Sequence, residues 1–173
     1  MARRGIAMSD AVTAKLKNLA ARARGTVEVG FINTDQAQIA YWNEFGHGGR
    51  FPAPARPFFR TMVAKDSPSW PALMASHLKA SEMDGEKTLN LMGEHIDGEL
   101  KQSITEGSYQ PLSAVTLRLR LKFGNNPQNI RLRDVYSAIK DVRGGAKTAE
   151  GTQAKPLIWT GQMLNSTSYR VSK

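Results

Sequence analysis

The sequence predicts an α+β fold in which a small antiparallel sheet packs against a long central helix and shorter helices. Three observations lead to this prediction. Apolar side chains alternate with polar ones or glycine over residues 26–32, and a second short strand pattern occupies residues 166–171. Between them, apolar residues recur at helical spacing through residues 67–105. A length of 173 residues suits one domain, and we expect residues 1–173 to form it.

Two helices are predicted to flank the first strand. Ser9 or Asp10 can cap the first of these helices, and Gly25 ends it, since glycine readily takes the left-handed conformation that follows a helix. Residues 37–45 form the second helix, which is short.

Glycine and proline dominate residues 46–57. Three glycines and three prolines exclude a regular helix or strand there. We therefore expect a long loop that is mobile or that inserts into a neighbouring chain. Residues 144–154 are small and polar, and we expect a second, flexible loop at that position.

The helical pattern of residues 67–105 allows two interpretations. Pro68 and Pro71 suit the opening turn of a helix, where a missing amide hydrogen does no harm. The apolar residues then belong either to one long helix or to two helices joined near Asp84 and Gly85. In both cases, we expect the acidic side chains to form the solvent face.

Residues 117–123 carry two contradictory signals. Apolar and basic residues alternate strictly, and this alternation by itself favours a strand. Ser113, however, is a good N-cap, and a helix would bring Leu117 and Leu121 one turn apart. A further short helix is expected over residues 132–139.

The charge of the chain is polarised. The formal net charge is +9, with +5 in residues 1–25, −5 in residues 82–106 and +6 in residues 111–147. This pattern suits a subunit whose faces meet different surfaces at least as well as it suits a DNA-binding protein. The candidates for contacts with DNA or acidic partners are three basic side chains, Arg118, Arg120 and Lys122.

The composition excludes several kinds of chemical site and of apolar segment. The absence of cysteine excludes disulfides, thiolate zinc sites and cysteine nucleophiles. No apolar run has the length of a signal peptide or of a membrane span, so we expect no membrane partner and a location in the cytoplasm of the cell that makes the protein.

No motif for catalysis or metal binding stands out. The histidines His47, His77 and His95 have no second ligand at metal-binding spacing, and no nucleophile or phosphate-binding motif is present. We interpret the many carboxylates of residues 82–106 as a solvated helix face. The sequence therefore predicts no enzymatic activity, no cofactor and no metal.

Three segments, taken in order, resemble a known family. They are residues 39–46 with the following Pro54-Ala55-Arg56-Pro57-Phe58-Phe59-Arg60, residues 111–118, and residues 155–166 with the ending 169–171. Together they resemble the tail-completion or neck proteins of long-tailed phages, a group called phage virion morphogenesis proteins. The stretch 125–153 departs from the shorter pattern of that family.

The resemblance implies a small α+β subunit that forms a ring at the head–tail junction of the virion, around the DNA channel. It also implies a helix after Pro111, and we adopt the helix for residues 117–123. The implied partners are further copies of the chain, portal or head-completion proteins, and tail-tube or tail-terminator proteins, with DNA passing through without sequence-specific binding. The alternatives are a tail-terminator ring on the tail tube and a DNA-binding protein that uses its basic segments.

Candidate contacts with a neighbouring subunit surround the Gly/Pro loop. They are Glu44, Phe45, Phe51, Arg56, Phe58, Phe59 and Arg60. The aromatic side chains can equally cap the subunit's own core. Arg56 lies between Ala55 and Pro57, and we expect it to be able to bind a neighbouring carboxylate through two hydrogen bonds.

Two further surfaces are expected to serve a ring. If the acidic helix face lines the channel, it repels DNA phosphates, and its candidates are Glu86, Glu94, Asp97 and Glu99. The C-terminal strand can pair within its own sheet or add to the sheet of a neighbour.

Overall fold

A computed structural model describes Ala14 and residues 24–49, 52–124 and 126–172. It shows an α+β fold with a two-stranded antiparallel sheet and several helices, as the sequence predicts. Apart from Ala14, which is helical, the helix predicted before Gly25 lies outside the described residues, and so does Phe51.

The described elements follow one another in a helix-rich order. They are β1 (Thr26–Gly30), α1 (Gln36–Phe45), α2 (Phe58–Asp66), α3 (Trp70–Ala80), α4 (Gly85–Glu106), α5 (Ala114–Phe123), α6 (Leu132–Arg143), α7 (Gln162–Asn165) and β2 (Ser168–Ser172). Single turns of 3₁₀ helix occur at Ser67–Ser69, Pro127–Asn129 and Gly151–Ala154. None of the described helices is long and apolar enough to cross a membrane.

The sheet joins the two ends of the described chain. Thr26 of β1 lies opposite Ser172 of β2, and Gly30 lies opposite Ser168. Both strands pack on α4, so the predicted arrangement of a small sheet against a central helix is confirmed. The C-terminal strand pairs within its own sheet, which is one of the two predicted alternatives.

The predicted helical region 67–105 is divided near Asp84, in agreement with the second interpretation. Glu82 and Met83 have positive φ angles of 55° and 65°, which end α3 and turn the chain. The Asp84 side chain then accepts a hydrogen bond from the amide of Lys87 at 3.1 Å and caps the start of α4.

Residues 117–123 are helical, so the helix adopted for this segment is confirmed and the strand that their alternation favours is wrong. The Ser113 hydroxyl accepts a hydrogen bond from the amide of Thr116 at 3.2 Å and caps α5. Leu119 and Arg120 are both buried. Arg120 is charged although it occupies a buried position of the helix, where an apolar residue is usual. The segment therefore shows the polarity pattern of a strand and lacks that of a helix.

The core lies where α2 crosses α4. Phe58, Met62 and Leu100 are its largest fully buried side chains. The ring of Phe58 also meets the edge of Phe31 with 6.1 Å between the ring centroids, which connects the end of β1 to α2. This packing positions α1 and α2 beside each other at the surface.

Gly93 is the point of closest approach between α4 and β2. A Cβ atom there would overlap the ring of Tyr169, so Gly93→Ala must displace this tyrosine from the helix. We expect the substitution to lower the free energy of unfolding by about 2 kcal/mol, measured by urea denaturation.

Gly98 provides the matched control on the same helix. A Cβ atom at Gly98 meets nothing within 4 Å, and the residue is exposed. Gly98→Ala is therefore expected to stabilise the protein by up to about 1 kcal/mol. Equal effects of the two substitutions would contradict the packing of Tyr169 on α4.

Candidate interaction surface

Helix α1 exposes a group of large aromatic side chains. Tyr41 is 57% exposed, Trp42 is 47% exposed and Phe45 is 52% exposed, whereas the buried residues of this helix are Ala40 and Glu44. Removal of this aromatic surface from water is favourable, which makes the cluster a candidate interaction surface.

An apolar pocket of about 250 Å³ lies beside the exposed rings. We call it the aromatic pocket, and its lining residues are Phe31, Ala37, Ala40, Tyr41, Glu44, Phe45, Phe58, Phe59 and Arg60. Tyr41 and Phe45 lie one helical turn apart on α1, with 4.8 Å between their ring centroids. A pocket walled by aromatic rings can receive an apolar side chain from another protein.

Arg60 forms the charged rim of the aromatic pocket. Its guanidinium carbon lies 4.8 Å from the centroid of the Phe45 ring, a distance typical of a cation–π interaction. Its Nε donates to Oε1 of Glu44 at 2.7 Å, while the Arg60 side chain stays 58% exposed. The structure thus holds a cation and an aromatic ring together at the surface.

Glu44 connects α1 to α2, the two helices that form the walls of the aromatic pocket. Its carboxylate accepts hydrogen bonds from the amides of Phe59 at 2.9 Å and Arg60 at 3.2 Å. Helix α2 has no side-chain cap from Pro57, the residue that precedes it. Glu44 of α1 therefore satisfies the first amides of α2 and neutralises the positive end of that helix dipole.

Five of the seven predicted interface residues meet at the aromatic pocket: Glu44, Phe45, Phe58, Phe59 and Arg60. Two of these residues are buried. Phe58 is 1% exposed because it fills the core, in agreement with the alternative that the aromatic side chains cap the subunit's own core. Glu44 is 5% exposed because it caps α2, so its expected place at a contact surface needs correction. Both residues line the buried side of the aromatic pocket.

Tyr41 and Trp42 were not among the predicted contacts, although the sequence contains a signal for them. Residues 39–42 are all apolar, and four consecutive residues cannot share one face of a helix. Some of these side chains therefore had to be exposed.

The Gly/Pro loop is anchored at several points in its described part. His47 and Ala53 exchange backbone hydrogen bonds of 3.1 and 3.0 Å. Gly46, with a φ angle of 74°, lies so close to the 53–55 backbone that a Cβ atom would come within 2.8 Å of the Ala53 carbonyl oxygen. Arg56 donates its amide hydrogen to the Asn43 carbonyl at 2.7 Å.

Arg56, predicted as a contact for a neighbouring carboxylate, has a buried side chain. Only 5% of the residue is exposed, and it lines a cleft separate from the aromatic pocket. Burial lowers the pKa of its guanidinium below the usual value.

The three basic candidates of residues 118–122 do not lie on one surface of the protein. Arg118 and Lys122 lie one turn apart on α5, and both bind Asp141 of α6, at 3.0 and 2.9 Å. The hydrogen bonds from Lys122 and Arg118 lower the pKa of Asp141. Arg120 points to the opposite side and is 4% exposed. These side chains hold the fold together and do not present a charged row to DNA.

Arg120 holds the irregular segment between α6 and α7 in place through hydrogen bonds to its backbone. Its Nη1 and Nη2 donate to four carbonyl oxygens at 2.7–3.0 Å, those of Gln153, Lys155, Ile158 and Pro156. Its guanidinium also lies over the ring of Trp159, 5.1 Å from the centroid. Burial and, secondarily, the nearby charge of Arg56 lower the pKa of Arg120 to about 10, so it remains a cation at neutral pH.

The acidic candidates are divided between the two sides of α4. Glu86 and Glu94 are exposed, as predicted. Asp97 is 8% exposed, one turn from Gly93 on the side that packs against the sheet, so its assignment to the solvent face is wrong. Glu99 accepts a hydrogen bond from the indole of Trp70 at 2.8 Å and thereby faces α3.

Residues 144–154 contact α5. The amide of Ala149 donates to the Leu117 carbonyl at 3.2 Å, and Ala149 is buried. This segment was predicted to be a flexible loop, and in the structure these contacts attach it to the helix.

Within residues 24–49, 52–124 and 126–172, no cluster of three or more acidic or histidine side chains is arranged to hold a metal ion. Comparisons of the chain with protein-family models, with curated proteins and with solved structures find no match.

Proposed function

We propose that the chain is a structural protein of a tailed-phage virion. It forms a ring at the head–tail junction, surrounds the DNA channel and joins the tail to the capsid connector. The observation that carries this proposal is the aromatic pocket, because exposed aromatic rings around an apolar pocket are typical of protein assembly interfaces. The segments that resemble phage neck proteins, residues 39–46 and 54–60, supply most of its lining.

The aromatic pocket is the surface on which the neighbouring copy docks. Subunits of a closed ring meet through two different patches, so a pocket on one copy receives side chains from a different patch of the next. Tyr41 and Phe45 provide the apolar contact area. Arg60, held by Glu44, provides a charged rim that orients the neighbour.

The exposed acids of α4 fit a channel surface. Glu86 and Glu94 carry negative charge on one side of this helix, and a negative lining lets DNA phosphates pass without binding. We assign this role to Glu86 and Glu94. The alternative is a DNA-binding protein that uses its basic N-terminal and 111–147 segments. It is less favoured at residues 118–122, since Arg118 and Lys122 are paired with Asp141.

A double substitution in the aromatic pocket tests the proposal. Tyr41→Ser with Phe45→Ser removes exposed apolar surface without opening a cavity in the core. Supplied in trans to a phage that lacks the native chain, this variant is expected to lower the yield of infectious particles by more than about tenfold. Its melting temperature should stay close to that of the native chain.

Met83→Ser with Leu91→Ser is the matched control, because it removes two exposed apolar side chains away from the pocket. This control should restore the yield of infectious particles. If the double variant of the aromatic pocket restores the yield equally well, the pocket is not the assembly surface.

A further inference from the structure

A second cavity of about 590 Å³ lies between α1, the 52–56 segment, the start of α5 and the 156–163 segment. We call it the arginine cleft. Its apolar walls come from five prolines and several larger side chains: Pro52, Pro54, Pro111, Pro127, Pro156, Ile39, Leu112, Leu157, Trp159 and Met163. Neither the proposed ring contact nor the acidic helix face uses this cleft.

Two buried cations line the arginine cleft without a counter-ion. Arg56 is 5% exposed and Arg120 is 4% exposed. They lie close enough for the charge of Arg56 to lower the pKa of Arg120. No aspartate or glutamate is among the described residues that line the cleft. Two like charges taken out of water and left uncompensated are unfavourable, unless an anion joins them.

Arg56 and Arg120 differ in how they are satisfied. Arg120 donates to four carbonyls of the 153–158 segment. The Arg56 guanidinium makes no hydrogen bond with any described residue. The Nε atoms of Arg56 and Arg120 are both buried without a partner, so the two arginines differ in their Nη groups. A buried donor of this kind costs free energy, so a buried guanidinium that serves only stability would be paired. The Nη groups of Arg56, which are not among the buried unpartnered atoms, are therefore the donors that a ligand can reach.

The chemistry of the cleft favours a carboxylate over a nucleic acid. A carboxylate is planar and accepts two parallel hydrogen bonds from a guanidinium. Polynucleotides bind to open rows of lysine and arginine, whereas this cleft holds its two cations at a buried position between apolar walls.

The remaining polar side chains favour an extended peptide as the carrier of the carboxylate. Neutral amide and hydroxyl groups line the cleft, namely those of Gln36, Asn43, Gln110, Ser113, Thr116, Thr160 and Gln162. Such groups bind the free N–H and C=O groups of an extended chain, while a helix satisfies these groups internally. Proline walls add rigid apolar surface without competing donors.

We propose that the arginine cleft binds the carboxylate of an acidic side chain from an extended segment of another protein, with Arg56 as its bidentate partner. Arg120 is a positioning residue, which builds the wall of the cleft and adds positive charge. The occupant is a neighbour in the assembly that presents glutamate or aspartate in an irregular segment.

The test uses the purified full chain and a minimal probe. N-acetylglutamate N-methylamide is titrated into the protein in a low-chloride buffer, and NMR follows the Nε–H of Arg56 and the indole N–H of Trp159. Saturable shifts of both signals are expected. The matching glutamine compound should bind at least about tenfold more weakly, because it loses the charged hydrogen bonds.

Arg56→Met is expected to reduce the affinity for the glutamate probe by at least about tenfold and to raise the melting temperature by roughly 3 °C, because it removes an unpaired buried charge. Arg143→Met, which removes an exposed charge outside the cleft, should change neither quantity. Equal binding of the glutamine compound, unchanged binding by the Arg56 variant, or a response to inorganic phosphate but not to glutamate overturns the proposal. None of these results depends on a role in a phage.

Discussion

Arg120→Met is expected to lower the free energy of unfolding by about 4 kcal/mol, the largest effect of a single substitution that we predict. The guanidinium satisfies four carbonyl oxygens of the 153–158 segment. Methionine replaces only the aliphatic part of the side chain and has no donor, so these carbonyls lose their partner at a cost on the order of 1 kcal/mol each. The relief of repulsion with Arg56 offsets only part of this loss.

Urea denaturation followed by circular dichroism measures the effect. Arg120→Lys should fall between the native chain and the methionine variant, since an ammonium keeps a charge and three donors but lacks the planar fork. Arg118→Met is the control on the same helix, with an expected loss below about 1 kcal/mol because its ion pair with Asp141 is partly solvated. If Arg120→Met costs no more than this control, Arg120 does not hold the 153–158 segment.

Glu44→Ala is expected to lower the free energy of unfolding by about 3 kcal/mol. The substitution leaves the amides of Phe59 and Arg60 without an acceptor and removes the negative charge from the start of α2. Glu44→Gln retains one acceptor oxygen and should cost about half as much. The same denaturation experiment measures both variants.

Glu94→Gln serves as the control for Glu44. Glu94 is an exposed acid on α4, so its replacement should stay within about 0.5 kcal/mol of the native chain. Because Glu44 also holds Arg60 against the aromatic pocket, we expect Glu44→Ala to impair assembly as well as stability. A Glu44→Ala variant as stable as Glu94→Gln would contradict the capping of α2 by α1.

Local sequence signals were sufficient to predict most of the described helices and the sheet. Ser113 and Asp84 are N-caps whose side chains bind amides three residues further on, so both the residue type and the spacing are visible in the sequence. The alternating strand pattern near Val27 and the C-terminal strand pattern also led to elements that pair with each other. These features depend on neighbours in the chain, and sequence patterns record such neighbours directly.

Interactions between distant segments were not predictable in the same way. Glu44 caps a helix that begins 14 residues later, and Arg120 binds backbone carbonyls more than 30 residues away. In both cases the partner is a backbone group, an amide or a carbonyl, and no residue type in the sequence identifies it. Arg120 also caused the misleading alternation of residues 117–123, because a pattern based on polarity assigns every arginine to the surface.

The candidate contact surfaces were predicted in part. The segment around the Gly/Pro loop contains the aromatic pocket, but the sequence could not separate Phe45, which is exposed, from Phe58, which fills the core. It also placed Arg56 on the same surface, while the structure turns this side chain into a different cleft. The sequence does not show which of two aromatic residues on neighbouring helices is buried, because burial depends on how those helices pack.

The proposed role at the head–tail junction is tested most directly by electron microscopy of particles made without this chain. The proposal predicts filled heads and complete tails that remain unjoined, with junctions restored when the native chain is supplied. Joined, normal particles in its absence would contradict it.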